Sequence, residues 1–198
     1  MILTVTLNPS LDRTLAVDEL RRGEVLRVST PLLDPGGKGI NVARALTANN
    51  VAAQAILPMG GSEGHQLVGL LAAAGVPTLT VPIADALRSN ITIVEADGTV
   101  TKLNEPGPHL LPVEIDALLC RIEQAASEAR WMVISGSLPS GNEPTLLPQI
   151  VSRGHAAGAR VAVDTSGAAL LAALDAHPDL IKPNREELAE ATSSSITT

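Results

Sequence analysis

Phenylalanine and tyrosine are absent from the 198 residues, tryptophan occurs once, at Trp131, and cysteine once, at Cys120. Without aromatic faces there is no platform on which single-stranded bases could stack. One cysteine excludes an intramolecular disulfide framework, and a reducing compartment fits that usage. Positive charge is scarce too: 14 Lys and Arg stand against 21 Asp and Glu, a formal net charge of −7. Such a chain offers no field to attract a nucleic-acid backbone or an anionic membrane, so any anionic ligand has to be held by local groups. No apolar run approaches membrane-spanning length. Residues 1–7 lack the basic start of a secretory leader and run into Asn8-Pro9. The expected protein is soluble and cytoplasmic, with neither nucleic acid nor membrane as a partner.

What is present is 45% hydrophobic, with 18% charged residues and a mean hydropathy of +0.23. That composition is globular, and its core has to be built from Leu, Val, Ile and Ala. Short Val/Ile-rich runs alternate with longer Ala/Leu-rich ones. Strands are expected over 2–7, 54–58, 77–82, 131–135, 160–164 and 180–182. Helices are expected over 40–49, 63–74, 113–128, 145–157, 167–174 and 185–191. Strands that are apolar throughout and separated by helices predict a doubly wound α/β fold, with a mainly parallel sheet covered on both faces. Two stretches break the alternation, 13–33 and 88–104. In the second, Ile91-Thr92-Ile93-Val94 and 99–103 flank a turn at Asp97-Gly98, so both read as hairpins outside the main sheet. The Ser/Thr-rich segment 192–198 reads as a frayed end.

Three clusters carry chemistry. In Asp34-Pro35-Gly36-Gly37-Lys38-Gly39-Ile40-Asn41, three glycines and a lysine lead into a helix. Backbone amides can approach a ligand there, and the helix N-terminus favours an anion or an oxygen acceptor. Both nucleotide fingerprints fail: Gly39 stands where a Walker motif needs Ser or Thr after the lysine, and Val42 stands where a third glycine would. Ser135-Gly136-Ser137-Leu138-Pro139 follows an apolar strand, where open α/β sheets bind ligands, although an ordinary strand-to-helix turn explains it too. Lys182-Pro183-Asn184-Arg185-Glu186-Glu187 has the spacing of a capping box, and a plain helix cap explains it as well as metal or nucleotide binding does. Asp12 and Asp164 put carboxylates at strand ends. His65, His109, His155 and His177 have no ligand spacing, and Cys120 lies inside a helical pattern, so neither zinc nor a thiol nucleophile is supported.

Taken in order, Thr6-Leu7-Asn8-Pro9-Ser10-Leu11-Asp12, the segment from Pro35 to Arg44, Ser135-Gly136-Ser137-Leu138-Pro139 and Lys182-Pro183-Asn184-x-x-Glu187 resemble the PfkB/ribokinase family, in its phosphofructokinase branch. The resemblance implies a ribokinase-like fold with a small β-lid formed by 13–33 and 88–104. It also implies ATP-dependent phosphorylation of a ketohexose phosphate. Fructose 1-phosphate is the first candidate, with fructose 6-phosphate and tagatose 6-phosphate as alternatives. Carried over, Asp12, Gly37 and Asn41 bind sugar hydroxyls, Arg88 binds the phosphate already on the sugar, Lys38 neutralises phosphate charge and Ser137 lines the same pocket. Asn184 and Glu187 match the element associated with Mg2+ and the ATP phosphates, and Asp164 is a further candidate for the metal. The lid implies pairing of two subunits, with Arg27 reaching the neighbour's site. The family's Gly-Ala-Gly-Asp turn, which carries the catalytic base and an anion hole, does not occur in these 198 residues. Each of the two contributes on the order of 10²–10³ in rate. By itself the chain is therefore expected to be a feeble kinase, a noncatalytic binder of sugar phosphates, or a fragment with no independent fold.

Overall fold

Strand and helix alternate as the apolar runs dictate. In chain order the elements are β1 (Ile2–Val5), β2 (Ser10–Val17), β3 (Leu32–Gly36), α1 (Lys38–Ala48), β4 (Ala53–Met59), α2 (Gly61–Ala73), β5 (Thr78–Pro82), β6 (Arg88–Glu95), β7 (Val100–Asn104), α3 (Pro112–Ala126), β8 (Trp131–Ser135), α4 (Leu146–Ala156), β9 (Arg160–Asp164), α5 (Gly167–Leu174), β10 (Leu180–Ile181) and α6 (Arg185–Thr192). The computed structural model describes residues 1–28 and 30–192, so the end expected to fray lies almost wholly outside the described residues.

The main sheet has six strands in the order β10-β9-β8-β1-β4-β5, every neighbouring pair parallel. Consecutive residues of β4 divide between the two cores. Ile56 belongs to the core that also holds Leu118 and Ile122 of α3 and Leu147 and Ile150 of α4, while Ala55 and Leu57 belong to the core that holds Ile40 of α1 and Leu67 and Leu71 of α2. A sheet buried on both faces gives near-continuous apolar strands, which is why they were legible without alternation. After β1 the chain fills the β4 side, then returns to fill the β8 side. The strand order therefore reverses between β1 and β8, where doubly wound sheets open a crevice at the carboxyl ends of their strands.

Helix α1 sits unusually close to β1. A Cβ on Gly39 would lie 2.5 Å from Thr6 Oγ1 and 2.9 Å from the Val5 carbonyl oxygen. Main chain cannot retreat as a side chain does, so Gly39→Ala forces α1 off the sheet. The expected loss is ~1–3 kcal/mol of stability, read as a lower urea midpoint at unchanged slope.

The remaining strands form a separate four-stranded sheet, β3-β2-β6-β7. β2 pairs antiparallel with β3 and parallel with β6, and β6 with β7 forms the hairpin expected around Asp97-Gly98. The first stretch differs from its reading as a hairpin over 13–33. Strand begins earlier, at Ser10, and ends later, at Gly36, with a charge-rich connection between whose described residues are mostly exposed. Asp34-Pro35-Gly36, expected as part of the Gly-rich turn, is strand paired with Asp12, Leu11 and Ser10. Main-chain pairing overrides the local turn preference, and Pro35 is tolerated because β3 is an edge strand.

Candidate functional site

The carboxyl end of β1 points Thr6, Leu7 and Asn8 toward the small sheet, and β2 starts only two residues later. One face of that sheet is polar at this end. In register, Asp34, Asp12 and Asn90 form a row across β3, β2 and β6, and Gly36, Ser10 and Arg88 form the neighbouring row. The Asp12 Oδ1 atom accepts hydrogen bonds from Ser10 Oγ at 2.7 Å and Asn90 Nδ2 at 2.9 Å. Gly36 makes room for it, since a Cβ there would fall 2.4 Å from Asp12 Oδ2. Asp34 leans to Arg44, 3.6 Å away, which eases the repulsion of two carboxylates set directly opposite.

Arg88 is held by main chain. Nη1 donates to the Glu105 carbonyl and Nη2 to the Asn8 carbonyl, both at 3.2 Å, while Nε is buried without a partner. Desolvation pushes the guanidinium pKa below its ordinary value, and the nearby charges of Asp12 and Glu105 work against that shift. No carboxylate of the described residues comes within ion-pair distance of it. A half-buried cation with neutral partners and spare N–H groups is set up for an external anion.

A second cluster lies at the ends of β8, β9 and β10. Asp164 Oδ2 accepts a hydrogen bond from Ser135 Oγ at 2.9 Å. Oδ1 faces two ammonium groups, Lys182 Nζ at 3.2 Å and Lys38 Nζ at 3.7 Å, and accepts no hydrogen bond. Lys38 occupies the first turn of α1, where a cation opposes the helix dipole. Asp164 compensates it. Gly37 ends the strand-to-helix turn at a φ of +122°, and Gly136 lies against the start of α1, its absent Cβ 3.8 Å from Lys38 N. Two lysines around one carboxylate leave this spot locally positive in an acidic chain, as anionic phosphoryl groups require.

The sequence-derived residues are brought together unequally. Asp12 and Arg88 share one face of the small sheet. Ser137 meets both the β1 end and the exit of the small sheet through Asn8, whose Nδ2 lies 3.2 Å from Ser137 Oγ. Lys38 and Asp164 meet directly. Asn41 is exposed on the first turn of α1 and borders a groove shared with Arg44 and Val76. Asn184 and Glu187 form the capping box: Glu187 N donates to Asn184 Oδ1 at 2.9 Å, and Asn184 N donates to Glu187 Oε2 at 2.8 Å. Sequence reasoning assigned no role to Asn8, Asn90, Ser135 or Lys182. Lys182 had a signal, since it follows β10 much as Asp164 ends β9.

Magnesium keeps several waters and takes one or two carboxylates together with phosphate oxygens. Asp164 fits such a ligand in part: its buried Oδ1 accepts no hydrogen bond but is already ion-paired with Lys182 and Lys38. Glu187 fits less well, because the helix cap already uses one of its oxygens. Among the described residues no group of three or more His, Cys, Asp or Glu is arranged to hold a metal, and no helix is long and apolar enough to cross a membrane.

Residues 6–198 match the family model described as pfkB family carbohydrate kinase. The ATP-dependent 6-phosphofructokinase isozyme 2 of Escherichia coli (strain K12) is 40% identical, over 99% of this chain and 64% of that protein. The 1-phosphofructokinase of Vibrio cholerae is 34% identical, over 100% of this chain and 62% of that protein. Among solved structures, the E. coli phosphofructokinase-2 in complex with fructose-6-phosphate superposes with a TM-score of 0.92 at 40% identity, over all of this chain and 65% of that one. The chain thus spans about three fifths of the length of the curated relatives it matches.

Proposed function

The chain belongs to the pfkB family of carbohydrate kinases, and from that premise we propose that it carries the sugar side of an ATP-dependent phosphoryl transfer to a ketohexose phosphate. Fructose 1-phosphate is the first candidate acceptor, giving fructose 1,6-bisphosphate. The observation that carries this reading is Arg88, a desolvated cation held by two carbonyls on the same polar face as Asp12. One group suits a phosphate and the other a sugar hydroxyl. The relatives' names include both 1-phosphofructokinase and 6-phosphofructokinase, and the preference for fructose 1-phosphate rests on the Gly36-Gly37-Lys38-Gly39 run.

In this proposal Arg88 anchors the phosphate already present, while Asp12, Asn41 and the Gly37 main chain hold hydroxyls. Ser137 lines the same pocket. Lys38 and Lys182 face the group in transit and offset its charge, which is the main task in phosphoryl transfer. ATP with magnesium supplies that group, with Asp164 assigned to the metal and Asn184 and Glu187 to the ATP phosphates. The acceptor hydroxyl has to lose its proton to a base, and the family turn that carries one does not occur in residues 1–198. A binder without turnover is accordingly the second reading. The small sheet is assigned the part of a lid and of a contact between two subunits, with Arg27 directed at the neighbour, and the cytoplasm is the assigned location.

The test is ADP release with fructose 1-phosphate, fructose 6-phosphate and tagatose 6-phosphate in parallel with calorimetric titration of each. Binding of fructose 1-phosphate ahead of the other two, with slow turnover or none, is the expected result. Activity confined to a nonphosphorylated sugar or a nucleoside overturns the assignment.

A further inference from the structure

We propose that Asn8 is a positioning residue whose side-chain amide orients the Ser137 hydroxyl toward the same bound sugar phosphate as Arg88, which the Asn8 main-chain carbonyl holds nearby; the inference rests on the reading given under Proposed function. Asn8 lies three residues beyond the end of β1, on the side where the strand order reverses, and is 5% exposed. Its Nδ2 lies 3.2 Å from each of three acceptors: the Pro106 carbonyl, Ser137 Oγ and the Leu138 carbonyl. The Asn8 main-chain carbonyl accepts from Arg88 Nη2 at 3.2 Å. Arg88 Nη1 in turn holds Glu105, the residue before Pro106. One amide thereby ties three separate pieces of chain together: the β1 end, the exit of the small sheet and the loop after β8. Their sequence separations from Asn8 are 98 residues to Pro106 and 129 to Ser137.

The polarity of this amide is fixed by its surroundings. Exchanging its nitrogen and oxygen would turn Oδ1 toward the carbonyl oxygens of Pro106 and Leu138. As it stands, Oδ1 is buried with no partner and lies against Gly107. A Cβ on Gly107 would come within 2.1 Å of it, and that residue's φ is +93°. A buried acceptor left unsatisfied is unfavourable for the fold alone. What the arrangement achieves is a set donor. Because Ser137 Oγ accepts from Asn8, the hydroxyl proton of Ser137 is left to point away from the amide, toward a ligand oxygen. On the other side, the Asn8 carbonyl holds one arm of Arg88 so that the rest of the fork can meet a phosphate.

The experiment uses the full 198-residue chain and fructose 1-phosphate, titrated by calorimetry, with wild type, Asn8→Ala, Asn8→Asp, Ser137→Ala and the Asn8→Ala/Ser137→Ala double variant. Asn8→Ala is expected to weaken binding roughly 10-fold or more, from the loss of the Nδ2 hydrogen bonds to Pro106, Ser137 and Leu138, while the main-chain contact to Arg88 is kept. Asn8→Asp, which keeps the shape and reverses the polarity, is expected to weaken it at least as much. The two single losses are expected not to add: the double variant binds like the weaker single one, which a general loss of packing would not produce. Binding by the Asn8 variants at wild-type affinity, or strict additivity with Ser137→Ala, overturns the proposal and leaves the reading of the site intact. A wild type that binds no sugar phosphate overturns both. If the Asn8 variants lack the wild-type near-ultraviolet circular dichroism, the side-chain amide protons of Asn8 in 15N-labelled wild type decide. Slow exchange and a shift on adding fructose 1-phosphate support the proposal, and rapid exchange with no shift contradicts it.

Discussion

Replacing Arg88 with methionine lowers the affinity for a ketohexose phosphate by roughly 30- to 700-fold, the equivalent of ~2–4 kcal/mol for removing one partner of a desolvated charge pair. Methionine keeps much of the length and apolar stem, so packing around Leu87 and the small sheet is retained. What goes is a cation that burial has made unfavourable and that Asp12 and Glu105 only partly compensate. An incoming phosphate restores the interactions lost with water. Arg88→Lys is expected to fall between the two, because a point charge cannot hold the Asn8 and Glu105 carbonyls and grip phosphate in a fork at once. The pH dependence follows from the ligand. A phosphate monoester loses its second proton near pH ~6 while the guanidinium stays charged, so wild-type affinity rises between about pH 5 and pH 7, and that rise is flattened in the methionine variant. Calorimetry across pH checks both effects.

Asp12→Asn separates affinity from stability. Asparagine can still accept the hydrogen bonds of Ser10 and Asn90, and it fits over Gly36 as aspartate does. Loss of the charge relieves the opposition to Asp34 in register but removes a favourable neighbour of Arg88. The two electrostatic effects oppose, so the unfolding free energy is expected to move by under about 1 kcal/mol. Sugar binding loses a charged acceptor for hydroxyls, worth ~1.5–3 kcal/mol or roughly 10- to 150-fold in affinity. Urea denaturation beside calorimetry reads both quantities. A large drop in stability with little change in affinity would make Asp12 a structural residue of the small sheet.

How much of this was legible follows from the range of the contacts involved. The main sheet could be read because each parallel strand is a short apolar run that signals itself locally. The capping box of Asn184 and Glu187 could be read because both partners lie within four residues. Lys38 and Asp164 stand at helix and strand ends that the alternation already places at one edge, whereas Asp12, read as following the first strand, lies inside β2. The parallel pairing of β2 with β6 could not be read: it joins Asp12 to Asn90 across 78 residues with no turn to announce it. It also explains why strand reaches back to Ser10, while the antiparallel pairing of β3 with β2 carries strand through Pro35 against local preference. The part played by Asn8 was hidden for the same reason, since a buried amide is defined by acceptors that only the fold assembles. The motif containing it drew attention to its carboxylate, Asp12, and not to the amide four residues earlier.

Crystals of the 198-residue chain grown with fructose 1-phosphate test the central claim most directly. The account predicts the phosphate within hydrogen-bonding distance of the Arg88 guanidinium, sugar hydroxyls on Asp12, and Ser137 Oγ donating to the same molecule. Density for the sugar away from these three groups, or an Arg88 that still touches only the carbonyls of Asn8 and Glu105 beside a bound ligand, would contradict it.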